Sequence, residues 1–292
     1  LFGDTGERAR FDHSLAFTPD GMWLAVAGRS GIEIWDPRAR QLNQRLDTSG
    51  RVPQHVAVSP DGNWLAAANS EDCWLEVWRR TGSEFRSVWR LSSIAANELT
   101  FSAARGTLAV SDWVADRVAV FRVESGQLDR EISARQCYSV AYSPDGRSLA
   151  FTELDKWRVA GELSRSAVEF NAHWNTVRGV CWSPSGRLLA TCGEDRRVVV
   201  WDPLLARRRC DLIGHRSQSI RGHFVDEERL LTLEENGELL VWHVGLGRLL
   251  CRLRPLLVGR CFDMAVAPDR QTVACHLEDG RVQILRLNKQ SE

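Results

Sequence analysis

His173, Thr191 and Asp195 carry the side chains of a base, a nucleophile and an acid, and they fall within one short stretch of the chain. In a hydrolytic site a carboxylate orients an imidazole, which takes the proton of an attacking hydroxyl. The other residues capable of such chemistry do not join them. The seven histidines, at 13, 55, 173, 215, 223, 243 and 276, form no His-x-x-x-His pair and no cluster with cysteine or glutamate at metal-ligand spacing. The eight cysteines, at 73, 137, 181, 192, 210, 251, 261 and 275, include no two that lie three apart, so they make neither a zinc knuckle nor a Cys-x-x-Cys redox pair. Most alternate with apolar neighbours in strand-like runs, which reads as buried free thiols in a reducing, cytoplasmic setting. There is no Gly-x-Ser-x-Gly elbow, and Gly245-Leu246-Gly247 lacks the rest of a dinucleotide fingerprint. The expectation is a chain without catalytic residues, metal or cofactor.

Bulk composition narrows the partners. The 292 residues are 43% hydrophobic and 26% charged, enough to bury a large core. Basic and acidic residues balance at 38 each, which gives no reason to expect nucleic acid or an anionic membrane as partner. No apolar run approaches the roughly 18 residues needed to span a bilayer. Twelve tryptophans against two tyrosines need a structural cause. The chain opens on Leu1, so it is expected to be cut from something longer, with an effector domain in the same longer chain as one potential partner.

The elements that must position these residues come from a repeat. Turns of the type Ser-Pro-Asp-Gly start at residues 18, 59, 102, 143 and 183, with weaker versions at 225 and 267. That is seven copies of roughly 41 residues, so residues 1–292 are expected to form one domain. Before each turn stands a short apolar stretch, such as residues 180–182. A second follows it, a third comes after a polar turn, and a more polar fourth trails behind. Proline presets the first corner of the turn and glycine takes its positive-φ corner. Strands of about five residues between Gly and Asp turns predict an all-β fold. Four such strands cannot bury both faces alone and must stack on neighbouring copies. Trp35, Trp78, Trp201 and Trp242 then recur at the end of the third strand, where a broad ring fills the wedge between sheets; Phe121 and Leu285 take that slot in copies three and seven.

These copies resemble WD40 repeats, best of all in residues 181–202, which end on Trp201-Asp202. Seven copies resemble a seven-bladed β-propeller of four-stranded antiparallel blades. In that family a histidine before the first strand, a Ser or Thr on the second, an Asp in the next turn and the third-strand Trp form a hydrogen-bonded structural tetrad. His173, Thr191, Asp195 and Trp201 match those positions, which removes the need for a catalytic reading. Copy six keeps His215, Thr232 and Trp242 but has Asn236 for the Asp. Copy two keeps Asp72 and Trp78 but has Ala67, and copy seven keeps Asp279. Copy four is the most eroded, with its third strand expected near residues 157–163. The family's last blade takes its outermost strand from the N-terminus; residues 1–10 have poor strand propensity, so either they pair weakly or residues upstream complete the blade.

The resemblance implies that residues just before the turn Asp point to the top face: Glu71, Glu194, Glu235 and Glu278. They are either the ordinary preference of solvated turns for glutamate or an acidic rim for a basic segment. A second set precedes each first strand near the central mouth: His13, Gln54, Asn97, Tyr138, Arg178, Arg221 and Phe262, with Trp174 in the adjoining loop. Tyr, Trp and Arg are frequent binding anchors, although Trp174 could also cover its own loop and the two arginines could pair with those glutamates. The expected function is a rigid, non-catalytic scaffold that binds a protein or peptide through its top face. The alternatives are an enzyme or small-ligand binder at the central channel, and a purely architectural subunit.

Overall fold

The computed structural model describes residues 14–161, 168–171, 173–253 and 260–287. They hold 27 strands and no helix. The strands form seven sheets in which each pairs antiparallel with its neighbours in sequence, six of them four-stranded and the seventh, from Cys261–Val266, Thr272–Leu277 and Val282–Arg286, three-stranded among the described residues. Residues 1–10, the expected closing strand, lie outside the described part.

Closure of the ring follows from how the apolar residues divide. Side chains alternate along a strand, so each blade must bury two faces against two neighbours. In blade 1, Leu24 and Val26 turn toward blade 7, while Ala25 and Ala27 turn toward blade 2. The buried residues form seven clusters, each shared by two consecutive blades. An open arc of seven blades would have six. The seventh joins Leu15, Leu24 and Val26 to Ala265, Ala274 and Val282, and the Leu15 N–H donates to Asp263 Oδ2 at 3.0 Å across the same seam.

The third-strand aromatic slot has the predicted role and a geometry that the sequence does not show. Trp35, Trp78, Phe121, Trp201, Trp242 and Leu285 all pair across to the residue that starts the apolar run of the second strand. Each packs in the cluster shared with the preceding blade. In blades 1, 2, 3, 5 and 6 the register with the fourth strand shifts at this residue. A bulge there adds twist and turns the ring into the wedge. Blade 4 uses Lys156–Gly161 as its third strand, with Ala160 in the slot. Trp157, stacked on Phe170 at 4.2 Å, fills the gap toward Trp201 instead.

The Pro-Asp-Gly turns also interlock along the lower face. A Cβ on Gly21 would meet Pro268, one on Gly62 would meet Pro19, and one on Gly186 would meet Pro144, each pair joining consecutive blades. Gly146 is the tightest: φ is +69° and a Cβ would lie 2.6 Å from the Ala104 backbone nitrogen. Here glycine serves both the backbone conformation and the close approach.

Candidate functional site

Blade 5 holds the complete buried tetrad. His173 Nδ1 lies 2.8 Å from Asp195 Oδ1, His173 Nε2 lies 2.9 Å from Thr191 Oγ1, and the Trp201 indole N–H donates to the same hydroxyl at 3.0 Å. With the Nδ1 proton given to the ionised carboxylate, Nε2 accepts from Thr191, and the bonds run in one direction from Trp201 to Asp195. Burial alone would raise the Asp195 carboxyl. The His173 bond and the backbone N–H groups of Trp174 and Arg197 outweigh it and hold the group below its ordinary range. Thr191 is fully buried, so no substrate could reach its hydroxyl.

The tetrad depends on a residue that sequence reading passed over. A Cβ on Gly193 would lie 2.5 Å from His173 Nδ1 and 2.8 Å from Asp195 Oδ1. At the same strand end, blades 2, 3, 4 and 6 carry Asn69, Asp112, Glu153 and Glu234, and these reach back to the backbone of the preceding loop. Asn69 Nδ2 donates to Val52 O at 2.7 Å, and Asp112, Glu153 and Glu234 accept from the N–H groups of Ala95, Arg135 and Arg216. One polar side chain at this place therefore replaces the histidine–aspartate couple, and glycine is what leaves room for the couple in blade 5. This accounts for the eroded copies two, three, four and six, whereas blade 7 ends the strand on Leu277.

Blade 6 has both solutions in part. His215 Nε2 pairs with Thr232 Oγ1 at 3.0 Å and Trp242 donates to that hydroxyl at 2.9 Å, but Asn236 turns its amide to Glu234 at 3.1 Å and leaves His215 without a carboxylate. Burial, with a smaller push from Arg252, lowers His215 to about 4 from its ordinary 6.5. The unfolded chain thus takes up a proton near pH 6.5 that the folded chain refuses until about pH 4, so this group costs stability as pH falls through that window, by roughly 3 kcal/mol at most. Urea denaturation at pH 7 and pH 4.5 should show a smaller acid-induced loss in His215→Gln than in the wild type; equal losses would refute the assignment.

The top of the ring opens into a cavity of about 500 Å³ whose walls include Gln54, Asn97, Tyr138, Arg178, Arg221 and Phe262. These are the mouth residues expected from sequence, apart from His13, which lies outside the described residues. Arg178 stacks its guanidinium 4.5 Å from the Tyr138 ring centroid and pairs with Glu194 at 3.6 Å, as expected. Trp174 is 84% exposed, with the Arg197 guanidinium 4.6 Å from its ring centroid; it does not cover its own loop. Of the four top glutamates, Glu71, Glu235 and Glu278 are exposed and Glu194 is half-buried; only Glu235 lines the cavity.

Arg221 requires a correction. Gln54, Asn97, Tyr138, Arg178 and Phe262 stand one residue before the inward-facing row, and the first strands of blades 5, 6 and 7 all shift register at that place, at residues 178, 220 and 262, so residue 220 and not Arg221 is the counterpart of Arg178 and Phe262. Arg221 therefore belongs to the inner row with His55, Glu98, Ser139 and Asp263. Its guanidinium lies 3.0 Å from both Glu98 Oε1 and Asp263 Oδ1, tying blade 6 to blades 3 and 7 across the channel. Burial raises the Glu98 carboxyl despite Arg221, an effect moderated by the quarter of its side chain that stays open to the channel. Glu98 and Asp263 were not singled out from sequence, because nothing before folding marks a first-strand carboxylate as facing a channel. Among the described residues no group of three His, Cys, Asp or Glu could hold a metal ion, and all eight cysteines are free.

The family described as WD domain, G-beta repeat matches residues 44–79 and 164–202. The second match ends on Trp201-Asp202, at the blade with the complete tetrad. The ring and these two matches are those of a WD40-repeat propeller. Each WD40 match begins near the outer strand of one blade and ends on the third strand of the next, so the sequence repeat and the structural blade are offset. A chain in a crystal structure of a mitotic checkpoint complex superposes with a TM-score of 0.85 at 15% identity, covering 99% of this chain and 91% of that one, a likeness of fold. Telomerase protein component 1 of Mus musculus is 26% identical over 256 residues, which is 78% of this chain and 9% of that protein. Protein HIR1 of Candida albicans is 33% identical over 84 residues, 23% of this chain and 9% of that protein. A probable cytosolic iron-sulfur protein assembly protein 1 of Neosartorya fischeri is 38% identical over 60 residues, 20% and 12% of the two chains. The matched segments thus span about a tenth of the length of these curated relatives. WD40 propellers are typically scaffolds for protein interaction.

Proposed function

We propose that this WD40 propeller is a non-catalytic scaffold that binds a protein or peptide through its top face, on behalf of a longer protein in the reducing cytoplasm. One observation carries the reading: six blades contribute side chains to a single polar and aromatic mouth, beside a tryptophan that is 84% exposed. Arg178 and Phe262 sit on strands fixed by the core and Tyr138 immediately precedes one, so little conformational freedom is lost when a partner docks. Exposed Glu71, Glu235 and Glu278 favour a basic segment at the rim. Two comparisons support the reading: a like fold occurs in a mitotic checkpoint complex, and telomerase protein component 1, of which the match covers 9%, is far longer than this chain.

The test compares proteins retained by the wild type with those retained by a Trp174→Ala, Arg178→Ala double variant and by a Glu71→Lys, Glu235→Lys double variant. Partners should be lost from the first, and basic partners from the second, with thermal unfolding unchanged because these side chains are outside the core. Identical partner sets with intact folding would discard the top face.

A further inference from the structure

The turn between the third and fourth strands has the same backbone in blades 5 and 6. Ala206 (φ 51°) and Gly247 (φ 62°) hold its left-handed position. In both blades the residue before that position is a leucine and the one after is an arginine: Leu205 and Arg207 in blade 5, Leu246 and Arg248 in blade 6. Leu205 is 62% exposed, Leu246 68%, and the neighbouring Leu204 85%. The equivalent turns of blades 1 and 3 carry Ala39 and Ser125 before Arg40 and Gly126, so the leucine is not required by the turn. The two turns flank one strand, Arg207–Leu212: Cys210 Sγ donates to Val244 O at 3.4 Å, and Gly247 packs near Asp211 O. That strand adds the exposed Arg209.

Leucine is among the residues most often fully buried, so three large exposed aliphatics on adjacent turns signal a covered surface. The charges select what covers it. Among the described residues no carboxylate pairs with Arg207, Arg209 or Arg248, whereas Asp211, the acid within their strand, is already taken by Arg197 at 3.1 Å and by Arg208. Glu228, beneath blade 6, lies 3.9 Å from His243 Nε2. Uncompensated arginines beside exposed leucines fit a partner that alternates apolar and acidic side chains.

We propose that the lower rim of blades 5 and 6 is a second docking surface, for an acidic amphipathic helix of a partner protein. The leucines would enter between its apolar side chains while Arg207, Arg209 and Arg248 meet its carboxylates. The surface is independent of the mouth on the top face.

Fluorescence anisotropy can test this on the full chain with a labelled helical peptide bearing leucine on one face and glutamate on the other, against the same peptide with lysine for glutamate. The glutamate peptide should bind at least about tenfold more tightly. Arg207→Glu with Arg248→Glu should abolish that preference, Leu205→Asp with Leu246→Asp should abolish binding, and Trp174→Ala with Arg178→Ala should leave it unchanged. The milder Arg207→Gln with Arg248→Gln serves should charge reversal impair folding. Equal binding of both peptides, or binding untouched by these substitutions, overturns the proposal. So does preferential capture by vesicles containing phosphatidylserine, or a dimer in sedimentation that the leucine substitutions dissociate, since either would give the surface another occupant.

Discussion

Replacing Gly193 by alanine should destabilise the propeller by roughly 3 kcal/mol, an unusually large effect for one added methyl group. The backbone at Gly193 has ordinary negative φ, so the cost does not come from conformation. It comes from space: the new Cβ would lie 2.5 Å from His173 Nδ1 and 2.8 Å from Asp195 Oδ1, the two atoms joined by the tetrad's charged bond. Expelling either partner leaves a buried polar group without its match, which costs more than the bond itself contributes. The control is a mutant cycle with the pair His173→Ala, Asp195→Ala, in which both collision partners are gone. Gly193→Ala should then cost little beyond that pair alone, and additive losses in urea denaturation would show that the glycine matters for another reason.

Arg221→Met should lower stability by roughly 2–3 kcal/mol, although the arginine lies in a channel. Glu98 and Asp263 would be left as uncompensated carboxylates, with Asp263 nearly fully buried at 5% side-chain exposure. The value sits at the low end for a broken buried pair because Arg221 and Glu98 keep about a quarter of their side-chain surface. Asp263 also holds the Leu15 N–H, so the loss should be felt at the seam between blades 7 and 1. Hydrogen exchange should report faster exchange of the Leu15 amide in Arg221→Met. Adding Glu98→Gln and Asp263→Asn should recover most of the stability, because neutral amides no longer need the cation. If the triple variant is no more stable than Arg221→Met, the three groups do not act as one network.

Both effects rest on residues whose importance the sequence left unmarked, and the reason is the same. The sequence determined what is local and periodic. The turn spacing set seven copies, alternation set the strands, and the third-strand aromatic marked one slot in five blades. His173, Thr191, Asp195 and Trp201 were legible because their types and order match a known pattern. Gln54, Asn97, Tyr138, Arg178 and Phe262 were legible because each stands at the same offset before its turn. What the sequence could not determine is where neighbouring blades place their side chains relative to one another. Arg221 faces the channel because the counterpart of Arg178 and Phe262 in blade 6 is residue 220, and one residue of offset reverses the direction in which a strand side chain points. Glu98 and Asp263 come from strands far apart in sequence and meet only because the ring closes. Gly193 likewise looks like any small residue until folding brings His173 and Asp195 against it. Periodicity is written along the chain, whereas close approach, burial of charge and exposure of a leucine are properties of chains packed in three dimensions, and only the tertiary structure decided them.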